Sequence, residues 1–91
     1  FRRAMAAMGL DGGYGAYLDL IPGVTLATVN IMSMLGLHRR HRGGIVGHLA
    51  LFEMTSCEPN RRYAAALRRL GFGPDATEFF DEHVEADAVH E

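Results

Sequence analysis

Apolar residues recur along the chain at helical spacing, whereas the alternation typical of strands is nearly absent. Glycine and proline divide the apolar stretches, because Gly is common just beyond a helix end and Pro suits the first turn of a helix. This pattern predicts a glycine-rich loop with a short helical turn at 11–23. It predicts helices at about 1–8, 22–35, 40–57, 59–70 and 74–91. We therefore expect an all-α protein whose helices pack as a bundle.

Two of the predicted helices lie in strongly apolar stretches. The longest apolar stretch, at 20–37, is interrupted by Pro22, Gly23 and Asn30. These residues indicate a buried helix, together with the segment that leads into it, rather than a membrane span. The stretch at 43–57 is apolar on nearly every helical face, which predicts a central position in the bundle.

The last predicted helix carries residues that bind metals on its apolar side. At roughly 100° per residue, Asp87 lies about 40° to one side of His83 and His90 about 20° to the other. Phe79 and Phe80 belong to the same stripe, while most acidic residues of this helix lie opposite it. A buried carboxylate without a partner costs several kcal/mol, so Asp87 is expected to have one. Two imidazoles and a carboxylate are a ligand set suited to iron.

The third predicted helix places a single carboxylate on an apolar face. Glu53 shares this face with Val46, Leu49 and Cys57, and no Lys or Arg lies three or four residues away. Two interpretations remain open. Glu53 can hydrogen-bond a Ser or Thr on another helix, or it can supply a fourth metal ligand and bridge a second ion. His48 lies about 140° from Glu53 on the helix and is not expected to join it, and Cys57 is predicted to be a core residue.

Composition and charge limit the classes of partner. Nine Lys and Arg face eleven Asp and Glu, a net charge of -2, so no broad surface for nucleic acid or an anionic membrane is predicted. The single cysteine excludes an internal disulfide and favours a reducing, cytoplasmic setting. The chain has no initiator Met and opens within a predicted helix. We expect one partial helical domain over residues 1–91, cut at both ends from a longer protein.

The segment FEMTS around Glu53, followed about thirty residues later by EHVEADAVHE, resembles the haem-oxygenase-like di-iron oxidases and oxygenases, which are iron-containing redox enzymes. The resemblance extends over most of the chain, from FRRAMAAMGLD through PNRRYAAALRRLG. It implies a haem-oxygenase-like bundle that holds two iron ions on three core helices. Glu53 corresponds to the ligand of the second helix, and His83, Asp87 and His90 correspond to those of the third. The Glu and His of the first helix have no counterpart here and are expected upstream of Phe1.

The function that the resemblance implies is activation of dioxygen at a non-haem di-iron site, followed by oxidation or oxygenation of a small organic substrate. Electrons would come from a reductase or from the reduced substrate. Two alternatives remain open: a mononuclear Fe(II) oxygenase that uses His83, Asp87 and His90 alone, and a non-catalytic helical interaction module with a polar core network. Haem fits poorly because a carboxylate lies between the two histidines. No nucleic acid or membrane partner is expected, and a homodimer is one candidate oligomeric state.

Overall fold

The computed structural model describes residues 1–90, with the backbone alone at position 90. The described residues form four α-helices: α1 (Arg2–Ala7), α2 (Gly23–Leu37), α3 (Arg42–Arg69) and α4 (Pro74–His90). Two short 3-10 helices, Leu18–Leu20 and Arg39–His41, lie in the connections, and the first of them is the helical turn predicted in the glycine-rich loop. Residues 1–90 contain no strand. The predicted all-α fold is confirmed.

Glycines end two of the helices as the sequence predicts. Gly71 follows α3 with a φ of 88°, in the left-handed region that glycine enters without a steric cost. The N–H of Phe72 donates to the carbonyl of Leu67 at 3.0 Å, a bond that satisfies one of the last carbonyls of the helix. Gly9 ends α1 in the same conformation, with a φ of 74°. The tight turn after Gly71 leads directly into α4.

Helix α3 continues through Pro59, where the sequence predicts a break between two helices. The prediction of separate helices at 40–57 and 59–70 is wrong, because α3 continues through Pro59 for a total of 28 residues. Pro59 has no N–H to donate to the carbonyl four residues earlier, which weakens this turn. The side-chain amide of Asn60 donates to the carbonyl of Ser56 at 2.9 Å and supplies a bond within the same turn. One uninterrupted helix therefore carries both Glu53 and Ser56.

The described chain divides into two compact units, Phe1–Ala16 with the segment from Glu53 onward, and Tyr17–Phe52. In the first unit α1 packs on α4. Its most deeply buried side chains are small, namely Ala4, Ala64 and Ala76. Small side chains at helix contacts allow the helix axes to approach closely. The single partial domain expected from the sequence stays a prediction.

In the second unit, apolar side chains that the sequence predicts to be buried are exposed. Val24 is 76% exposed and Leu37 79% in α2, and Val46 is 66% exposed near the start of α3. The predictions of a buried α2 and a central first half of α3 are therefore wrong for this structure. The physical reason is that the described residues bring too few apolar neighbours around these helices to cover them. None of the helices within residues 1–90 combines the length and apolar character that a bilayer span requires.

Candidate metal centre

His83 is held by its own helix with one ring nitrogen available to a ligand. Its Nδ1 atom lies 2.7 Å from the carbonyl oxygen of Phe79, one turn earlier on α4. A carbonyl oxygen only accepts, so this contact is a hydrogen bond when Nδ1 carries the proton. The lone pair then lies on Nε2, which is the form of imidazole that binds a metal. The ring also packs on that of Phe79, with centroids 4.3 Å apart.

Asp87 is the buried carboxylate of α4. It is 6% exposed, and no other acidic residue in the described part of the chain is buried. The hydroxyl of Ser56 on α3 donates a hydrogen bond to its Oδ2 atom. The expectation that this carboxylate has a partner is therefore confirmed, and the partner is neutral. A single hydroxyl proton makes one such bond, whereas a carboxylate accepts several.

Helices α3 and α4 run antiparallel, and their contacts fix which turns lie opposite each other. The Sγ atom of Cys57 lies 3.7 Å from the carbonyl oxygen of Val84. Further along, the rings of Tyr63 and Phe80 approach with centroids 5.7 Å apart. Later residues of α3 therefore meet earlier residues of α4. Cys57 is buried between the helices, which confirms its predicted place in the core.

Glu53 lies one turn before Ser56 on α3 and is half-buried. In the antiparallel register, this level of α3 corresponds to the turn of α4 that follows Asp87 and contains position 90. The side chain of His90 lies outside the described residues. Among the side chains that are described, no group of three or more His, Cys, Asp and Glu residues could hold a metal ion. His83 and Asp87 thus share one side of α4. The described side chains do not form such a group with Glu53, so the four-ligand set stays a prediction.

Three other carboxylates of α4 form ion pairs with arginines. Arg3 contacts Asp75 at 3.1 Å and Glu78 at 2.5 Å. Arg68 contacts Asp81 at 2.6 Å. No arginine or lysine within residues 1–89 forms such an ion pair with the buried carboxylate one turn after His83. Its negative charge is therefore available to a bound cation.

The donor atoms on this side of α4 suit iron. The Nε2 atom of His83 and the Oδ1 atom of Asp87 remain once Nδ1 and Oδ2 have made their hydrogen bonds. Imidazole nitrogen and carboxylate oxygen are the ligand types of non-haem iron sites. His83 also borders a cleft of about 260 Å³ in the first unit, whose wall includes Phe79 and Glu82. A second, apolar groove of about 320 Å³ lies nearby against Phe80 and Leu67.

The sequence singles out His83 and Asp87 as candidate ligands but does not point to Ser56, the hydrogen-bond partner of Asp87. The available signal was spacing, because Ser56 follows Glu53 by three residues and so lies on a neighbouring part of the same helix face. The sequence suggested a Ser or Thr hydrogen bond across helices for Glu53, and the structure has a bond of this kind at Asp87. The backbone carbonyl of Phe79 carries no sequence signal, since every residue has one.

Comparison with known proteins gives one match. A family model described as iron-containing redox enzyme matches residues 1–91, which is the whole chain. Searches of curated proteins and of solved structures gave no match. The match agrees with the resemblance carried by the segments around Glu53 and Asp87.

Proposed function

Because the chain belongs to the iron-containing redox enzyme family, we propose that it supplies ligands to a non-haem di-iron site. At that site dioxygen is activated, and a small organic substrate is oxidised or oxygenated. The observation that carries the proposal is the pair formed by His83 and Asp87. Both lie on one side of α4. One potential metal-binding atom of each makes a hydrogen bond, Nδ1 of His83 and Oδ2 of Asp87, which leaves Nε2 and Oδ1 for a metal.

His83 and Asp87 are prepared for a metal in complementary ways. The bond from Nδ1 to the Phe79 carbonyl keeps the proton off Nε2, so the metal need not displace it. The bond from Ser56 holds Oδ2, so Oδ1 is the oxygen presented to the ion. Ligands oriented before the metal arrives lose less conformational freedom on binding, which favours affinity.

The proposal assigns Glu53 and His90 as the other two ligands in this chain. The helix register supports this assignment, because Glu53 precedes Ser56 by one turn while position 90 follows Asp87 by about one turn. The two positions therefore lie at the same level of the antiparallel helix pair. A complete di-iron set of the kind that the resemblance implies needs a further Glu and His beyond these four.

Bound iron would supply electron transfer to dioxygen, with electrons from a reductase or from the reduced substrate. The residues of this chain would orient the ligands and limit the access of water. The ring of Phe79 packs against the imidazole of His83, and Phe80 packs against Phe79 with centroids 5.3 Å apart. The cleft beside His83 is the proposed position of a small substrate.

A non-catalytic helical module is the second candidate. The hydrogen bond between Ser56 and Asp87 favours it, because a buried carboxylate satisfied from another helix also serves as part of a structural core network. In this case α4 would present its polar stripe to α3 without any metal. Iron binding separates the two functions directly.

The test is iron loading of the full-length protein. Fe(II) is added without oxygen, excess metal is removed, and iron per chain is counted before and after exposure to air, together with a visible absorption spectrum. Two ions per chain and a new absorption band on aeration support the proposed site. One ion per chain favours the mononuclear alternative, while no bound iron and no spectral change favour the helical module.

A further inference from the structure

We propose that Ser56 is a positioning residue of the metal centre, whose hydroxyl holds one oxygen of Asp87 so that the other oxygen is presented to the ion. This inference rests on the proposed function and adds to it a residue that is not itself a ligand. It starts from the burial of Asp87, which is 6% exposed and receives its hydrogen bond from a residue 31 positions earlier.

The hydroxyl of Ser56 has two acceptors within reach and one proton to give. The carbonyl oxygen of Glu53, on the same helix, is 3.4 Å away, which is long for a hydrogen bond. The carboxylate of Asp87 is much closer and carries a charge, and bonds to charged acceptors are the stronger ones. The proton of Ser56 therefore belongs to the bond that links α3 to α4.

The backbone at Ser56 is held in place by a second side chain. Asn60 donates from its amide to the carbonyl oxygen of Ser56 at 2.9 Å, in the turn where Pro59 lacks an N–H. At the next residue, the thiol of Cys57 lies against the carbonyl of Val84 on the facing helix. The hydroxyl thus projects from a turn that Asn60 supports within α3 and that lies against α4 at Cys57.

The neutral character of the donor matters for cation binding. Arg68 neutralises Asp81, and Arg3 neutralises Asp75, at exposed positions of the same helix. A guanidinium at Asp87 would occupy the carboxylate and repel a metal ion. A hydroxyl orients the carboxylate and leaves its charge in place, and partners of this kind commonly change metal affinity by about 10- to 100-fold when removed.

The experiment measures the affinity of the full-length protein for Co(II) and Fe(II) under anaerobic conditions, for Ser56→Ala and Ser56→Thr. The absorption spectrum of bound Co(II) is recorded as well, because it reports the ligand geometry. Ser33→Ala is the matched control, since Ser33 is an exposed serine within helix α2. Thermal unfolding without metal is measured for every variant.

We expect Ser56→Ala to weaken metal binding by about 10-fold or more and to alter the Co(II) spectrum, while Ser33→Ala changes neither. Ser56→Thr keeps the hydroxyl and should restore most of the affinity. If Ser56→Ala binds both metals with unchanged affinity and an unchanged spectrum, the positioning role is overturned, even if its melting temperature falls. Absence of metal binding by the unsubstituted protein overturns the proposed function itself, so the two failures are distinct.

Discussion

The Nδ1 atom of His83 lies 2.7 Å from the carbonyl oxygen of Phe79, four residues earlier on the same helix. In a regular helix that carbonyl already accepts the backbone N–H of residue 83, so the imidazole adds a second donor to one oxygen. The bond orients the ring along α4 and selects the tautomer. The helix backbone therefore sets the tautomer of His83, whether or not a metal is bound.

The first prediction concerns this tautomer. In its neutral form His83 should carry its proton on Nδ1, and nitrogen-edited NMR of the metal-free protein should assign Nε2 as the unprotonated nitrogen. Addition of Zn(II) should then shift the Nε2 resonance far more than that of Nδ1. The exposed His38 is the comparison residue. Observation of a proton on Nε2 in neutral His83 would contradict the arrangement.

The second prediction concerns acid stability through Glu58. Arg62 first, and then Arg61, hold the pKa of this exposed carboxyl below its ordinary value near 4.5. A carboxyl whose pKa is lower in the folded state stabilises the fold above its ordinary pKa, and this contribution is lost as the pH falls through the folded value. Because the group is exposed, the effect should be small and should weaken with added salt.

Arg62→Gln should therefore raise the pKa of Glu58 toward its ordinary value, as followed by NMR titration of the side-chain carboxyl. This variant should be less stable than the unsubstituted protein at neutral pH, and the difference should disappear in acid, as measured by urea unfolding over a pH series. Arg69→Gln is the control, because Arg69 is an exposed arginine of the same helix. An equal rise of the Glu58 pKa in both variants would point to general charge rather than to the contact at 2.9 Å.

The third prediction concerns the turn of α3 around Pro59. Asn60→Ala removes the bond to the Ser56 carbonyl and should lower the free energy of unfolding by about 0.5–1.5 kcal/mol, the usual net value of one hydrogen bond. Asn30→Ala, at an exposed position of α2, should be neutral or slightly stabilising because Ala is the better helix former. Chemical unfolding of both variants measures the difference. Equal stability of the two variants would mean that the amide of Asn60 does not support the turn.

Local signals explain how much of the fold was predictable. Gly71 ends α3 and Pro74 begins α4 because each fits only a few backbone conformations, and both boundaries are correct. The same reasoning failed at Pro59, because α3 continues through this residue and the side chain of Asn60 supplies a hydrogen bond in the turn that lacks the proline N–H. The predicted burial of α2 is wrong for a related reason. The sequence of an apolar helix shows which of its faces can be buried but not which other surface covers them.

The candidate site was predictable on one helix only. Periodicity places His83 and Asp87 on one face of α4 because their spacing alone fixes their relative direction. The partner of Asp87 depends on how α3 lies against α4, and helix register cannot be read from either helix separately. Ser56 was therefore found only from the packed helices, and the assignment of Glu53 still depends on the same register.

The last prediction tests Asp87 as a ligand. Asp87→Ala in the full-length protein should abolish iron loading, because it removes the one buried carboxylate on the described part of α4. Glu85→Ala removes a carboxylate from the exposed side of the same helix and should leave loading intact. Asp87→Asn keeps the shape of the side chain and separates lost charge from lost packing: it should also lose iron, while its metal-free stability should stay closer to that of the unsubstituted protein. Full iron content in Asp87→Ala, measured by elemental analysis, would remove Asp87 from the ligand set and leave its bond to Ser56 as a structural contact alone.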